Sequence, residues 1–198
     1  MDATAEKIYT YEDYSKLSGD KRYEVINGVI YLMTAPNDEH QAISVSLVNS
    51  FYNYLRGRKC VVRDAPYNVR LPKEGETRTT VKTTVEPDIA VICDRKKLDS
   101  KGCFGAPDLI VEILSPSTWK RDKTEKFNLY QEHGVLEYWI VDAANQTIER
   151  FTLDKDAGKY KQAEYFDRSD VITPTMFPDL AIKLEEVFPS LDEEFEDE

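Results

Sequence analysis

The chain has 198 residues, of which 41 % are hydrophobic, 11 % aromatic and 32 % charged, with a net charge of −11. That length and composition describe one folded domain with enough chain to bury a real core. No apolar run is long enough to span a bilayer and Met1-Asp2-Ala3-Thr4 carries no signal-peptide pattern, which excludes a membrane partner; the acidity argues against nucleic acid, because polyanions bind basic surfaces.

Thr10-Tyr11-Glu12-Asp13 has the form of a helix start, with an acid three residues after the cap, and predicts a short helix to about Leu17. Residues 22 to 33 read as a hairpin, two alternating apolar segments joined by Asn27-Gly28. Asn37 or Asp38 caps a helix over about 38 to 56, where Ile43, Leu47, Val48, Phe51 and Leu55 recur at helical spacing. Strand material from Cys60 to Leu71 is interrupted by Pro66, and the polar stretch 72 to 84 reads as a mobile loop. Two apolar strands follow, about 87 to 93 and 108 to 115, joined by a basic loop with Gly102 and Gly105. Asp122 to Glu132 predicts a helix ended at Gly134, then a strand from Leu136 to Asp142 and an antiparallel pair around Asp156-Ala157-Gly158. Helices among many strands imply a mixed α/β sheet. Residues 1–190 form a single domain in this reading. Asp192 to Glu198 hold six acids and no base, so 191–198 reads as an acidic, disordered tail. The cysteines Cys60, Cys93 and Cys103 are odd in number and lack metal-ligand spacing; Cys93 reads as a small buried hydrophobe, and a reducing, cytoplasmic setting follows.

Two acids stand out. Glu112 interrupts the apolar run Leu109-Ile110-Val111-Glu112-Ile113-Leu114, and Asp88 precedes Ile89-Ala90-Val91-Ile92. A buried charge is costly unless compensated. Alternation puts Asp108, Ile110, Glu112 and Leu114 on one strand face, and Glu86 and Asp88 on one face of the other. If these strands pair, Asp88 and Glu112 converge, and a hard divalent cation with oxygen ligands would relieve their repulsion. From spacing alone, a metal site and a pair of separately satisfied acids stand equal.

The ordered set Arg22-Tyr23-Glu24-Val25-Ile26-Asn27-Gly28, Glu86-Pro87-Asp88, Ala106-Pro107-Asp108-Leu109-Ile110-Val111-Glu112-Ile113-Leu114-Ser115-Pro116-Ser117-Thr118, Asp122, Lys126, Tyr130 and Gly134-Val135-Leu136-Glu137-Tyr138-Trp139-Ile140-Val141-Asp142 resembles the putative restriction endonuclease family of the PD-(D/E)XK nuclease superfamily, common in cyanobacteria. The resemblance implies an α/β, restriction-endonuclease-like core: a central mixed β-sheet flanked by helices. It also implies metal-dependent hydrolysis of DNA phosphodiester bonds. Asp88 and Glu112 would ligate Mg²⁺ or Mn²⁺ with the backbone carbonyl of Ile113. Leu114 stands where the superfamily carries its lysine. Lys126, on the following helix, is the expected substitute, with Lys123 as second choice; a surface ion pair with Asp122 is the competing account of Lys126. Glu24 is either a further acid of the site or an exposed hairpin glutamate. His40 either touches phosphate or water, or only opens its helix. A homodimer is expected by analogy with enzymes that cut both strands. Two other functions remain open: a catalytically inactive nuclease-fold binding module, and a metal-dependent hydrolase of a small phosphorylated substrate.

Overall fold

Asn27 and Gly28 turn the first hairpin with φ of 50° and 83°, a left-handed pair that asparagine and glycine adopt at least cost. They join β1 (Tyr23–Ile26) to β2 (Val29–Leu32) in the register Tyr23↔Leu32. The computed structural model describes residues 7–17 and 21–188; the acidic segment 191–198 and its expected disorder lie outside the described residues. Helix α1 (Tyr11–Tyr14) opens on the expected capping box between Thr10 and Asp13 and is shorter than its sequence suggests. Helix α2 (Asp38–Leu55) is capped by Asn37, whose side chain accepts from the His40 N–H at 3.0 Å. Ile43, Leu47, Phe51 and Leu55 are its buried stripe, each contributing roughly 1.5–3 kcal/mol of burial.

The other strands of the two large sheets are β3 (Val61–Asp64), β4 (Val69–Arg70), β5 (Thr84–Val85), β6 (Ile89–Ile92), β7 (Leu98–Asp99), β8 (Gly102–Phe104), β9 (Leu109–Ile113), β10 (Glu137–Asp142), β11 (Thr147–Asp154), β12 (Lys159–Tyr160) and β13 (Glu164–Asp167). The central sheet runs β12-β11-β10-β9-β6-β3, with β13 also on β11. Its β9–β10 pair is parallel and the rest are antiparallel, so the sheet is mixed. A parallel pair needs a crossover. Residues 119–132 supply it as one helical segment: α3 (Trp119–Arg121), a π-helical turn (Asp122–Lys126) and α4 (Phe127–Glu132).

Alternation along β6 and β9 divides the core. Ile89, Val91, Leu109, Val111 and Ile113 pack under α2. Ala90, Ile92 and Ile110 pack on the other face with Leu129, Tyr130, Tyr138 and Ile140. The sheet is thus flanked by helices on both faces, as the resemblance implies. The second sheet, β2-β1-β5-β4-β8-β7, closes over this latter core with Ile26, Val69, Val85 and Cys103.

Two expectations need correction. The stretch 72–84 is tied down: Val81 is fully buried, Tyr11 and Gly28 donate to the carbonyls of Val81 and Lys82, and Thr84 enters β5. Polar composition hid this, because the carbonyls of Thr79, Val81 and Lys82 are taken by backbone N–H groups of α1 and the first hairpin, and Thr83 Oγ1 accepts from the Asn27 N–H. Cys93 is also not a free thiol. The β3–β6 register continues from Val61↔Ile92 to set Cys60 opposite Cys93, and the two form a disulfide. A separation of 33 residues gives no hint of that pairing. Cys103 is the free, buried cysteine. The inference of a reducing compartment loses its support. Reduction of Cys60–Cys93 is expected to cost roughly 2–4 kcal/mol and to lower the melting temperature by several degrees, read by calorimetry with and without dithiothreitol; an unchanged Tm would mean that the bridge contributes nothing to stability.

Candidate active site

One step beyond the pair Ile89↔Val111, Asp88 stands opposite Glu112. Glu112 points toward the 119–132 segment, and Asp88 lies at the mouth of the sheet. Its Oδ2 accepts from the Ile113 backbone N–H at 2.7 Å and lies 3.2 Å from His40 Nε2. The Asn37 cap fixes the turn that presents His40 there.

The helical segment reaches these acids through its π turn. The wider i→i+5 bonding of a π turn shifts the face presented to the sheet. Here Asp122 and Lys126 are both buried beneath it, with Lys126 Nζ 3.7 Å from Asp122 Oδ1. The same ammonium lies 2.9 Å from Glu112 Oε1 and 2.9 Å from Glu24 Oε1. Lys126 is only 4 % exposed and Glu24 2 %. The surface pairing of Lys126 with Asp122 and the exposed hairpin glutamate are therefore both incorrect: neither residue is at the surface. Glu24 also accepts from the Glu86 backbone N–H at 3.0 Å, and Tyr130 donates its hydroxyl to Glu112 Oε1 at 2.5 Å.

Lys123 points elsewhere, to Glu149 on β11 at 2.6 Å, and does not line the cleft. The structure does not bring Lys123 together with Asp88, Glu112 and Lys126. Lys123→Ala is expected to lose at most about 1 kcal/mol, as for a partly exposed ion pair, with no change in any activity of the cleft; a large loss of activity at unchanged stability would return Lys123 to the site.

Electrostatics follow from this crowding. Burial pushes Glu112 well above the usual carboxylate range; the Lys126 charge opposes the shift, and Asp122, Asp88 and Glu24 add to it. Burial disfavours the Lys126 ammonium, but Glu112, Glu24 and Asp122 outweigh it and hold the ammonium charged well above 10.5. Asp122 is also raised, chiefly by burial. Burial lowers His40, yet its hydrogen bond to Asp88 and that charge leave it raised above 6.5.

These groups line one cleft of about 350 Å³, with Glu24, His40, Asp88, Glu112, Ile113, Asp122 and Lys126 in its wall, together with Arg22, Arg121 and one side of α2. Leu114 is half-buried against the second core, so the strand itself offers no lysine. Three contributors escaped the sequence reading as site residues. Asp122 reads as the start of a helix and as a surface partner for Lys126. Tyr130 reads as core, and its hydroxyl finds Glu112. Arg22 reads as the first residue of the hairpin, and it pairs with buried Glu86 at 2.6 Å. The i,i+4 spacing of Asp122 and Lys126 is the signal for Asp122, since a Lys126 that faces the site carries Asp122 with it.

Whether a divalent cation suits this cleft can be judged from its donors. The carboxylates of Glu24, Glu112 and Asp122 surround the single lysine Lys126, and Asp88 lines the same cleft. Asp122 Oδ1 is buried and accepts no hydrogen bond among the described residues. Both described hydrogen bonds to Glu112 fall on Oε1, leaving Oε2 for another ligand. An excess of buried oxygen donors suits Mg²⁺ or Mn²⁺. The acids do not, however, converge as a ready-made ligand trio among the described residues, so a bound ion would draw them together.

Residues 10–185 match the family described as "Uma2: Putative restriction endonuclease". The chain belongs to this family. An uncharacterised protein of the cyanobacterium Synechocystis is 29 % identical over 137 residues, covering 69 % of this chain and 68 % of that protein. The crystal structure of a protein from Anabaena variabilis, described as a putative nuclease belonging to DUF820, superposes with a TM-score of 0.72 at 22 % identity, over 91 % of this chain and 97 % of that one. At that identity the match shows a shared fold. The Uma2 fold here is the mixed sheet with flanking helices expected from the resemblance.

Proposed function

We propose that this Uma2 protein is a metal-dependent endonuclease that hydrolyses DNA phosphodiester bonds in the cleft of Asp88 and Glu112. The observation that carries the reading is the buried Lys126 ammonium held between Glu112 and Glu24 in an acid-lined cleft of a family described as restriction endonucleases. Structural ion pairs seldom crowd three carboxylates around one buried lysine, because desolvation outweighs the attraction.

Asp88, Glu112 and the Ile113 carbonyl would hold Mg²⁺ or Mn²⁺, with Asp122 as a further oxygen donor. When bound, the cation would polarise the phosphate and acidify a water molecule. The chain's own groups do the rest. Lys126 remains an ammonium among its carboxylates, so it donates hydrogen bonds to developing negative charge rather than removing a proton. Tyr130 and Glu24 hold Glu112 and Lys126 in place. His40 orients Asp88 from the start of α2. Arg121 lines the cleft where a phosphate would enter.

The test is incubation of the full chain with plasmid, single-stranded DNA and RNA, with and without Mg²⁺ or Mn²⁺. Cleavage of DNA that needs the metal is expected; cleavage unaffected by chelation would overturn the metal assignment. Metal binding without cleavage of any nucleic acid would favour the non-catalytic binding module, which the full pairing of Lys126 also suits.

A further inference from the structure

Helix α2 carries a second apolar stripe, of which Val48 also packs on the edge of the core while Val45 and Tyr52 do not. Ile43, Leu47, Phe51 and Leu55 face inward. One step around the helix, Val45 and Tyr52 are 65 % and 56 % exposed, and both line the cleft with Val48. Gln41, Ser44 and Asn49 fill the polar positions of the same stripe. From His40 beside Asp88 to Tyr52, the stripe is roughly 18 Å long at 1.5 Å per residue. It is therefore a continuous extension of the candidate site, and a single large aromatic stands at its far end.

The same cleft also holds a cation. Arg121 lies with its guanidinium 4.1 Å from the Tyr31 ring centroid, and it lines the cleft. Unlike Arg22, which is bound to Glu86, Arg121 forms no ion pair among the described residues. An arginine oriented by an aromatic face and without an acidic partner suits a phosphate. The cleft so combines an apolar and aromatic wall, a free guanidinium and the acid cluster.

We propose that the cleft takes an unpaired polynucleotide strand, whose bases lie on the Val45–Val48–Tyr52 face of α2 while Arg121 holds a phosphate. This deepens the nuclease reading and rests on it. A paired duplex keeps its bases stacked inside and would present no base face to this stripe, whereas an unpaired strand offers both faces and phosphates together. The chain's acidity fits the same choice: with few basic side chains near the cleft, affinity must come from stacking as well as from charge.

The experiment measures binding of the full-length protein to fluorescent oligonucleotides of equal length in EDTA, by anisotropy. The arms are single-stranded DNA, single-stranded RNA, blunt duplex DNA, and an abasic single strand. The base-bearing single strands should bind more tightly than the duplex and the abasic strand. DNA and RNA arms distinguish the two sources of the same chemistry. Tyr52→Ala should weaken single-strand binding by roughly 5- to 100-fold, and Arg121→Gln should weaken base-bearing and abasic strands alike. Tyr52 is exposed, so its truncation leaves the fold intact. Equal affinity for abasic and base-bearing strands, or unchanged affinity in Tyr52→Ala, would overturn the proposal while leaving the nuclease reading to its own cleavage assay. A dimer that Tyr52→Ala dissolves, seen by sedimentation, would assign the stripe to a second copy of the chain and overturn it as well.

Discussion

Lys126→Ala is expected to abolish metal-dependent cleavage and, at the same time, to destabilise the fold by roughly 3–5 kcal/mol. Read from sequence as half of an exposed pair with Asp122, this lysine would cost almost nothing to remove. Its burial at 4 % exposure, with Nζ 2.9 Å from two carboxylates, reverses that expectation. The alanine variant leaves Glu24, Glu112 and Asp122 buried without their cation. The loss should depend on pH. Burial already raises Glu112 above its unfolded value of 4.5, and loss of the lysine raises it further. Below the unfolded value both states are protonated and the carboxyl costs nothing; above it the unfolded state gives up a proton that the native state keeps, so stability falls as pH rises until the raised folded value is passed. The deficit relative to the parent should therefore be large near pH 7 and shrink toward pH 4.5, as measured by denaturant melts across that range. Cleavage is compared at a temperature where the variant is folded. Full activity there would mean that the chain cuts without a helix lysine, and the proposed mechanism would fail.

Glu112→Gln should separate function from folding in the opposite sense. Glutamine has the same shape, and its carbonyl oxygen can accept from Lys126 and Tyr130 as Glu112 Oε1 does. Lys126 keeps Glu24 and Asp122 as counter-charges. The metal-free variant should be as stable as the parent or slightly more so, because a buried carboxylate with a raised pKa has been neutralised. Mn²⁺ at a hundred times its dissociation constant stabilises a protein by about 2.7 kcal/mol; that increment should appear in the parent and vanish in the variant. Cleavage should fall by roughly 100-fold or more. Calorimetric titration with Mn²⁺ checks the first point, and unchanged affinity in Glu112→Gln would remove Glu112 from the ligand set.

Much of this was legible in the chain itself, because the signals are local. Asn27-Gly28 demands a left-handed turn, Asn37 caps α2, and alternation along 109–113 sets Glu112 apart from Val111 and Ile113. The ordered motifs from Arg22 to Asp142 were enough to recognise the family and its fold. What stayed hidden depends on contacts between segments far apart in sequence. The partners of Lys126 come from β1, β9 and its own π turn, and a regular 3.6-residue helix cannot foretell which face a π turn presents. The Cys60–Cys93 bridge depends on the β3–β6 register. Burial of a charge in an apolar strand does not by itself mark a site either. Glu137 is as deeply buried as Glu112, yet it is satisfied by Trp139 Nε1 at 2.7 Å and by the backbone N–H and hydroxyl of Thr175. The two strand glutamates differ only in what surrounds them, neutral donors for Glu137 and a lysine among three further acids for Glu112. That difference arises when the sheet, hairpin and helix close together, because Coulomb and desolvation energies depend on three-dimensional separation and not on position along the chain.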